Sequence, residues 1–184
     1  YQVGRRSRPD RAGQVMRPPR TTIKAASVDS WPRDMRPVDL SHCYGCGAEN
    51  PKGFHLKKAY AGDRSRIEFD VLPEHSSYPG LMHGGVTCVL MDEAMYHAVA
   101  RLGIEAVTTS LTVEFKSPAL VGQHLVCEAW VVEREGKRIE VRAALVEAGS
   151  GAAIADGRGS FQEIDLDRFM RKHSPGTDAP PGRA

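Results

Sequence analysis

Hydrophobic and polar residues alternate along several segments of the chain, with one long apolar segment among them. Ile67, Phe69 and Val71 alternate with charged residues, as in a strand with one buried face. Residues 86–100 read VTCVLMDEAMYHAVA and are apolar on nearly every side, with Gly84-Gly85 in front and Gly103 behind. This pattern predicts a buried helix that stops at a glycine.

Four alternating segments follow the predicted helix and are predicted to be strands. Pro118, Gly136 and the turn Gly149-Ser150-Gly151 separate them, and they cover residues 107–115, 125–133, 139–145 and 152–163. We expect an antiparallel meander, in which the odd-numbered positions of the first strand, Thr109 included, share one face. A sheet with one apolar face and a single apolar helix bury each other when the sheet wraps the helix, so the predicted class is α+β. Because a sheet covers only part of such a helix, a second subunit is also expected.

The two ends of the chain lack this periodicity. Residues 1–36 contain four prolines and are predicted to be a disordered leader, residues 37–168 the folded domain, and residues 169–184 a disordered tail. The formal net charge is +2, but the leader carries nine basic and three acidic residues, so the remainder has a net charge of −4. The chain begins with Tyr1, which fits a fragment or a reading frame extended upstream of a start at Met16 or Met35. A native leader that recruits an acidic partner is the alternative.

Composition excludes several classes of protein. The chain of 184 residues is 41% hydrophobic and 26% charged with four cysteines, which indicates one ordinary domain and not a disulfide scaffold. No apolar run approaches the length of a spanning helix and no secretory signal is recognisable, so we expect no membrane span and a cytoplasmic location. The basic leader lacks interleaved aromatic residues, so no nucleic-acid partner is expected.

Asp92 is the most informative candidate for chemistry. It lies two turns into the apolar helix, where a carboxylate is costly unless it is paired or used. Burial would raise its pKa toward that of a working general base. The alternative is that Asp92, Glu93 and His97 form a narrow solvated stripe, with His97 a satisfied helical histidine.

The segment His83-Gly84-Gly85 opens the same helix. Free N–H groups in a first helical turn can bind a carbonyl oxygen or an oxyanion, and two glycines let a ligand approach the backbone. His83 could orient a substrate or donate a hydrogen bond. The alternative is an ordinary turn before a helix.

The order of these motifs resembles the hotdog-fold acyl-CoA thioesterases of the PaaI type. The resemblance extends over about residues 40–164, and Cys43-Tyr44-Gly45-Cys46-Gly47 with Asn50-Pro51 and Gly53 is similar to one branch of that superfamily. It is carried by His83-Gly84-Gly85, Asp92-Glu93, Thr108-Thr109, the segment Phe115-Lys116-Ser117-Pro118-Ala119 with Gly122, and residues 155–161. It implies a hotdog fold in a homodimer or homotetramer, with active sites at the subunit interface.

The resemblance also implies roles for particular residues. Gly84 and Gly85 would present a backbone N–H to the thioester oxygen, with His83 shaping the loop. Asp92 of the partner subunit would be the catalytic carboxylate, acting on water as a general base or attacking as a nucleophile. Thr108 would help to position the water. The reaction needs no metal and no cofactor.

Other residues are expected to contact the substrate. Ser77 stands six residues before His83, where family members commonly carry Asn, so one polar contact differs. Thr109 is expected to contact the substrate beside Thr108. The walls of an acyl tunnel are expected to include Met82, Leu90, Met91 and Met95.

Cys43-x-x-Cys46 admits three interpretations. A structural zinc site would need two more ligands, for which His42 and His55 are the nearby candidates. A redox pair is expected at a strand-to-helix junction, which this segment does not resemble. A structural loop without metal is the preferred interpretation.

The prediction is therefore an acyl-CoA thioesterase that uses water and no cofactor. One alternative is a hotdog dehydratase of hydroxyacyl thioesters, which would pair a histidine with a carboxylate. The other is a non-catalytic acyl-CoA-binding module, which would not need Asp92.

Overall fold

The computed structural model describes residues 39–173 of the chain. The predicted leader and residues 174–184 of the predicted tail lie outside the described residues. A single turn of 3-10 helix spans Pro73–His75, and the other elements are β1 (Lys58–Ala61), β2 (Arg64–Asp70), α1 (Gly84–Ala100), β3 (Ala106–Phe115), β4 (His124–Glu135), β5 (Arg138–Glu147), β6 (Ala153–Glu163) and α2 (Leu166–His173). None of the helices in residues 39–173 has the length and hydropathy to cross a membrane.

All six strands form one antiparallel sheet in the order β1-β2-β4-β5-β6-β3. The sheet lies against one long helix, which confirms the predicted α+β class. The predicted meander is wrong for β3, because β3 pairs with β6 at the far edge and β2 takes the place beside β4. Residues 116–123 connect that edge of the sheet to β4. The alternation of residues within a strand shows which face is buried, but not which strand pairs with it. The edge strand β1 was not predicted, because all four of its residues are exposed and the segment has no buried face.

The short helix α2 extends into the segment predicted as a tail. Residues 169–173 are helical, and the amide of Arg168 is capped by the Asp165 carboxylate at 2.9 Å. Asp167 in the first turn and the basic residues 171–173 in the last turn complement the helix dipole.

Helix α1 packs across β2, β3, β4, β5 and β6. Gly157 on β6 permits a close approach, because a Cβ there would lie 2.8 Å from Met95 Cε and 2.9 Å from Met91 Sδ. Met91, Met95 and Leu90 are fully buried against the sheet. They therefore form the core, and the expectation that they line an acyl tunnel is wrong.

One stripe of α1, which we call the open stripe, is only partly covered. It comprises Gly85, Cys88, Val89, Asp92 and Tyr96, at the three- and four-residue spacing of one helix face. The remaining faces of the helix are buried in the single chain, and the open stripe contains the candidate carboxylate.

Candidate active site

The start of α1 fixes the geometry of the two glycines. His83 is the N-cap residue with φ −66° and ψ 133°, and its ring Nδ1 accepts a hydrogen bond from the Gly85 amide at 2.8 Å. The Val86 amide donates to the His83 carbonyl at 2.9 Å. Within residues 39–173, the Gly84 N–H donates no hydrogen bond. Gly84, and not Gly85, thus has the amide available to an incoming carbonyl oxygen.

The loop before α1 is held by backbone hydrogen bonds. The His83 amide donates to the His75 carbonyl at 2.8 Å, and the Met82 amide donates to the Ala119 carbonyl at 2.9 Å. Met82 is buried, whereas Ser77 is exposed and its amide bonds the Leu81 carbonyl at 2.9 Å. The loop therefore presents the His83-Gly84 backbone from a fixed frame.

Asp92 and Thr108 form a direct pair. Thr108 Oγ1 donates a hydrogen bond to Asp92 Oδ1 at 2.8 Å. Partial burial raises the pKa of the Asp92 carboxyl above its usual value, the Thr108 hydrogen bond opposes that rise, and the negative charge of Glu93 adds to it. A half-buried carboxylate with raised pKa, held by a hydroxyl group, is suited to accept a proton from water.

A β-bulge aims Thr108 at the helix. The β3–β6 register shifts between Thr108 and Ser110, so that Thr109 is the extra residue. Thr109 Oγ1 donates to the Ser160 carbonyl at 2.9 Å and does not reach Asp92. The expectation that Thr109 shares the face of the other odd-numbered residues of β3 is therefore wrong. Thr108 lies on the side that faces α1 instead.

The two halves of the predicted site lie apart within one chain. Gly84 and Asp92 are eight residues apart on α1, which places them about 12 Å apart along the helix axis. A carbonyl oxygen and the water that attacks its carbon lie within about 3 Å of each other. The Gly84 amide and the Asp92 carboxylate of one chain are too far apart to contact both. One chain thus brings Asp92 and Thr108 together, but does not bring Gly84, Gly85 or His83 to them.

The cysteine pair has neighbours that the sequence did not indicate. His42 lies 3.7 Å from the Glu49 carboxylate, and His55 Nδ1 lies 2.9 Å from the Gly47 carbonyl, so neither predicted ligand turns toward the sulfurs. Glu93 lies there instead. It is buried, as is His97 one turn further along, so the solvated stripe considered from the sequence is wrong. The four-residue spacing of Glu93 and His97 on an apolar helix was the available signal.

Comparison with known proteins agrees with this architecture. The Thioesterase superfamily profile matches residues 79–153. Acyl-coenzyme A thioesterase 13 of Homo sapiens is 31% identical over 94 residues, which cover 50% of this chain and 66% of that protein, just under two thirds of its length.

Solved structures show the same fold. The Escherichia coli PaaI protein of the phenylacetic acid degradation operon superposes with a TM-score of 0.57 at 21% identity, covering 60% of this chain and 80% of PaaI. A hypothetical thioesterase of Streptococcus pneumoniae, solved with coenzyme A, gives 0.56 at 15% identity and covers 59% and 85%. The architecture is therefore that of a hotdog-fold protein. Over residues 79–153 the chain is similar to the thioesterase superfamily, in agreement with the resemblance of its motifs.

Proposed function

We propose that this protein is an acyl-CoA thioesterase that hydrolyses a thioester to a free acid and coenzyme A. The hydrogen-bonded pair of Asp92 and Thr108 carries the proposal, because a carboxylate of raised pKa beside a hydroxyl group can hold and activate one water. The human relative is named an acyl-coenzyme A thioesterase, and the streptococcal structure contains coenzyme A. Both support the choice of substrate.

The complete site is proposed to lie between two copies of the chain. Gly84 and Asp92 are too far apart to act on one carbonyl within a single chain, so Gly84 of one copy would face Asp92 of the other. Two uncovered features support a homodimer or homotetramer. β3 is an edge strand of the sheet, and the open stripe of α1 lacks cover along the line that contains Asp92.

In this site the Gly84 N–H holds the thioester oxygen and stabilises the negative charge that develops on it. Asp92 takes a proton from water as the water oxygen attacks the carbonyl carbon, and Thr108 keeps the carboxylate in place. Collapse of the tetrahedral intermediate breaks the carbon–sulfur bond, and the proton on Asp92 goes to the thiolate of coenzyme A. Label found in the Asp92 side chain after one turnover in ¹⁸O-water would show attack by Asp92 itself, through an anhydride that water opens at the aspartyl carbonyl carbon.

A groove beside the loop provides a place for the coenzyme. It has a volume of about 930 Å³ and reaches His75, whose carbonyl bonds the His83 amide. Its lining includes the aromatic residues Tyr44, Phe54 and Phe69 and the basic residues Lys52, Lys57, Lys58 and Arg66, beside the acidic residues Glu68, Asp70 and Glu74. Those three lysines form no ion pair with other residues of the described segment, which suits contact with the phosphates of coenzyme A.

His83 is poorly arranged for dehydratase chemistry. Its Nδ1 accepts the Gly85 amide hydrogen, so in the neutral ring Nε2 carries the proton. Such a ring can donate a hydrogen bond but has no free nitrogen to remove a proton. This favours hydrolysis over dehydration of a hydroxyacyl thioester.

A cytoplasmic location is proposed on separate grounds. The four cysteines, Cys43, Cys46, Cys88 and Cys127, form no disulfide, which suits a reducing compartment. Fractionation of the source cells, with an antibody against the protein, tests this point.

The test of the function is release of coenzyme A from a panel of acyl-CoA thioesters. The released thiol is measured with a thiol reagent after the cysteines of the protein have been blocked. Hydrolysis by the wild type and its loss in Asp92→Asn support the proposal. Equal rates in both proteins would remove Asp92 from the reaction. Binding of coenzyme A without turnover would indicate a binding module instead, and hydration of an enoyl-CoA would indicate a dehydratase.

A further inference from the structure

Three potential metal ligands meet on the side of α1 away from Asp92. The sulfurs of Cys43 and Cys46 and a carboxylate oxygen of Glu93 all lie within 4.8 Å of one another. Cys43 Sγ is 3.9 Å from Glu93 Oε2, at the outer limit of a hydrogen bond to sulfur. The carboxylate is thus near two sulfurs without being well bonded by either.

The carboxylate is also buried, together with the histidine one turn further along α1. Glu93 is 8% exposed and His97 is 1% exposed. His97 Nε2 lies 3.1 Å from Glu93 Oε1, yet neither atom forms a hydrogen bond of good geometry with a described residue. A buried carboxylate costs free energy unless a cation or strong donors compensate it, and the described residues offer Glu93 only His97 and the two thiols.

The loop that carries the cysteines is shaped around this carboxylate. The Gly47 amide donates to the Cys43 carbonyl at 2.9 Å, which closes a tight turn over the Cys-x-x-Cys segment. A Cβ at Gly45 would lie 2.2 Å from Glu93 Oε2, and a Cβ at Gly47 would lie 2.4 Å from the Cys43 amide nitrogen. Glycine is therefore required at position 47, where a Cβ would meet backbone, and a Cβ at position 45 would displace the Glu93 carboxylate.

We propose that Cys43, Cys46 and Glu93 bind a zinc ion that fastens the cysteine loop to α1. Two thiolates and a carboxylate from a Cys-x-x-Cys turn and a helix match the donors that zinc prefers. In a tetrahedral site, with the bond lengths usual for zinc, sulfur and oxygen ligands lie about 3.5 Å apart, so a small rotation from 3.9 Å suffices.

The remaining groups complete the site. His97 stands behind Glu93 on the Oε1 side, where its Nε2–H can hold the carboxylate in position while Oε2 faces the sulfurs. Both cysteines are half-buried, so water can reach the fourth coordination position. With three protein ligands and one water the site differs from a closed structural zinc of four protein ligands, and it lies apart from Asp92, whose carboxylate bonds Thr108.

Metal analysis of the purified full chain tests the proposal. The protein is produced in zinc-supplemented medium, kept reduced, and assayed for zinc by mass spectrometry, with an expected content of about one ion per chain. Cys43→Ser/Cys46→Ser is expected to hold less than about a tenth of that. Cys88→Ser, which removes a half-buried cysteine of α1 outside the cluster, is expected to retain it.

Two further measurements guard against a variant that fails to fold. Wild-type protein stripped with a chelator is titrated with Co²⁺, and the near-ultraviolet charge-transfer band of thiolate bound to cobalt is expected. Glu93→Gln is expected to weaken zinc binding about tenfold or more. Asp92→Asn should bind zinc as the wild type does, so the result is independent of thioester hydrolysis.

The proposal would be overturned if the purified wild type contained no zinc and its chelator-treated form gave no cobalt–thiolate band. Full zinc content in the double cysteine variant would also overturn it, because the ion would then lie elsewhere.

Discussion

Thr108 Oγ1 bonds Asp92 Oδ1 at 2.8 Å because a bulge at Thr109 rotates β3 by one residue. Without the extra residue, Thr109 would face the helix and Thr108 would face away. A single inserted position in an edge strand thus positions the catalytic carboxylate proposed for this protein.

Removing the Thr108 hydroxyl group should change the pH dependence of hydrolysis. The Thr108 hydrogen bond favours the charged form of Asp92, so in Thr108→Val burial and Glu93 raise the pKa further. The acid limb of the pH–rate profile is expected to move to higher pH, with kcat reduced about tenfold. Thr109→Val is the matched control and should leave the limb in place. An unmoved limb in Thr108→Val would show that Asp92 does not set it.

Asp92→Asn should separate stability from activity. The pKa of Asp92 is raised in the folded state, so the folded protein holds this proton more tightly than the unfolded chain. Its ionisation therefore lowers the free energy of unfolding as pH rises past the ordinary value of 3.8, and the cost persists at pH 7. Asp92→Asn, which still accepts the Thr108 hydrogen bond, is expected to melt at the wild-type temperature or higher at pH 7.

The comparison for that experiment is an exposed carboxylate with the opposite shift. Lys116 lowers the pKa of Glu114 through a direct hydrogen bond. Glu114→Gln should therefore gain no stability at pH 7. Thermal melts at pH 4 and pH 7 check both variants, and a clear loss of stability at pH 7 in Asp92→Asn would contradict the burial argument.

His83 should stabilise the start of α1 through its side chain. Its Nδ1 accepts the Gly85 amide, so His83→Ala is expected to lower the free energy of unfolding by about 1 kcal/mol, as measured by urea titration. Asn is a strong N-cap residue, so His83→Asn should restore most of the loss. Equal losses in both variants would show that the cap does not account for the role of His83.

Gly159 should be required for α1 to lie close to β6. A Cβ there would lie 2.6 Å from Met95 Sδ and 2.9 Å from Phe161 Cε2. Gly159→Ala is expected to destabilise the fold by about 1–3 kcal/mol. Adding Met95→Ala should cost less in this background than in the wild type, since the two residues are in contact. Additive losses would contradict the close packing.

The local pattern of hydrophobic and polar residues predicted most helices and strands. It did not predict the features that depend on contacts between residues far apart in the sequence. The α1 segment and the inner strands followed from periodicity, and Asp92 and Thr108 followed from motif order. The partner of β3, the bulge at Thr109 and the approach of Cys43 to Glu93 depend on contacts between residues far apart in sequence. The availability of the Gly84 amide in place of Gly85 depends on where the His83 ring points, which composition does not determine.

The central proposal is that Gly84 of one copy and Asp92 of another act on the same thioester. Gly84→Pro removes the amide hydrogen and adds the proline ring, which the backbone can accept because proline is favoured at the first position of a helix and His83 already has extended backbone angles. It is expected to lower kcat by about 100-fold or more. Gly84→Ala keeps the amide, and its Cβ would meet Phe115 at an acceptable 3.4 Å, so it should remain active.

The most direct measurement combines the two inactive chains. The Asp92→Asn variant and the Gly84→Pro variant are given different affinity tags and are expressed in the same cells. The mixed oligomer is then purified on one tag and afterwards on the other. Each mixed dimer would then contain one intact site and one doubly altered site, so we predict about half of the wild-type rate of coenzyme A release. A mixed oligomer as inactive as its two parents would contradict a site shared between copies.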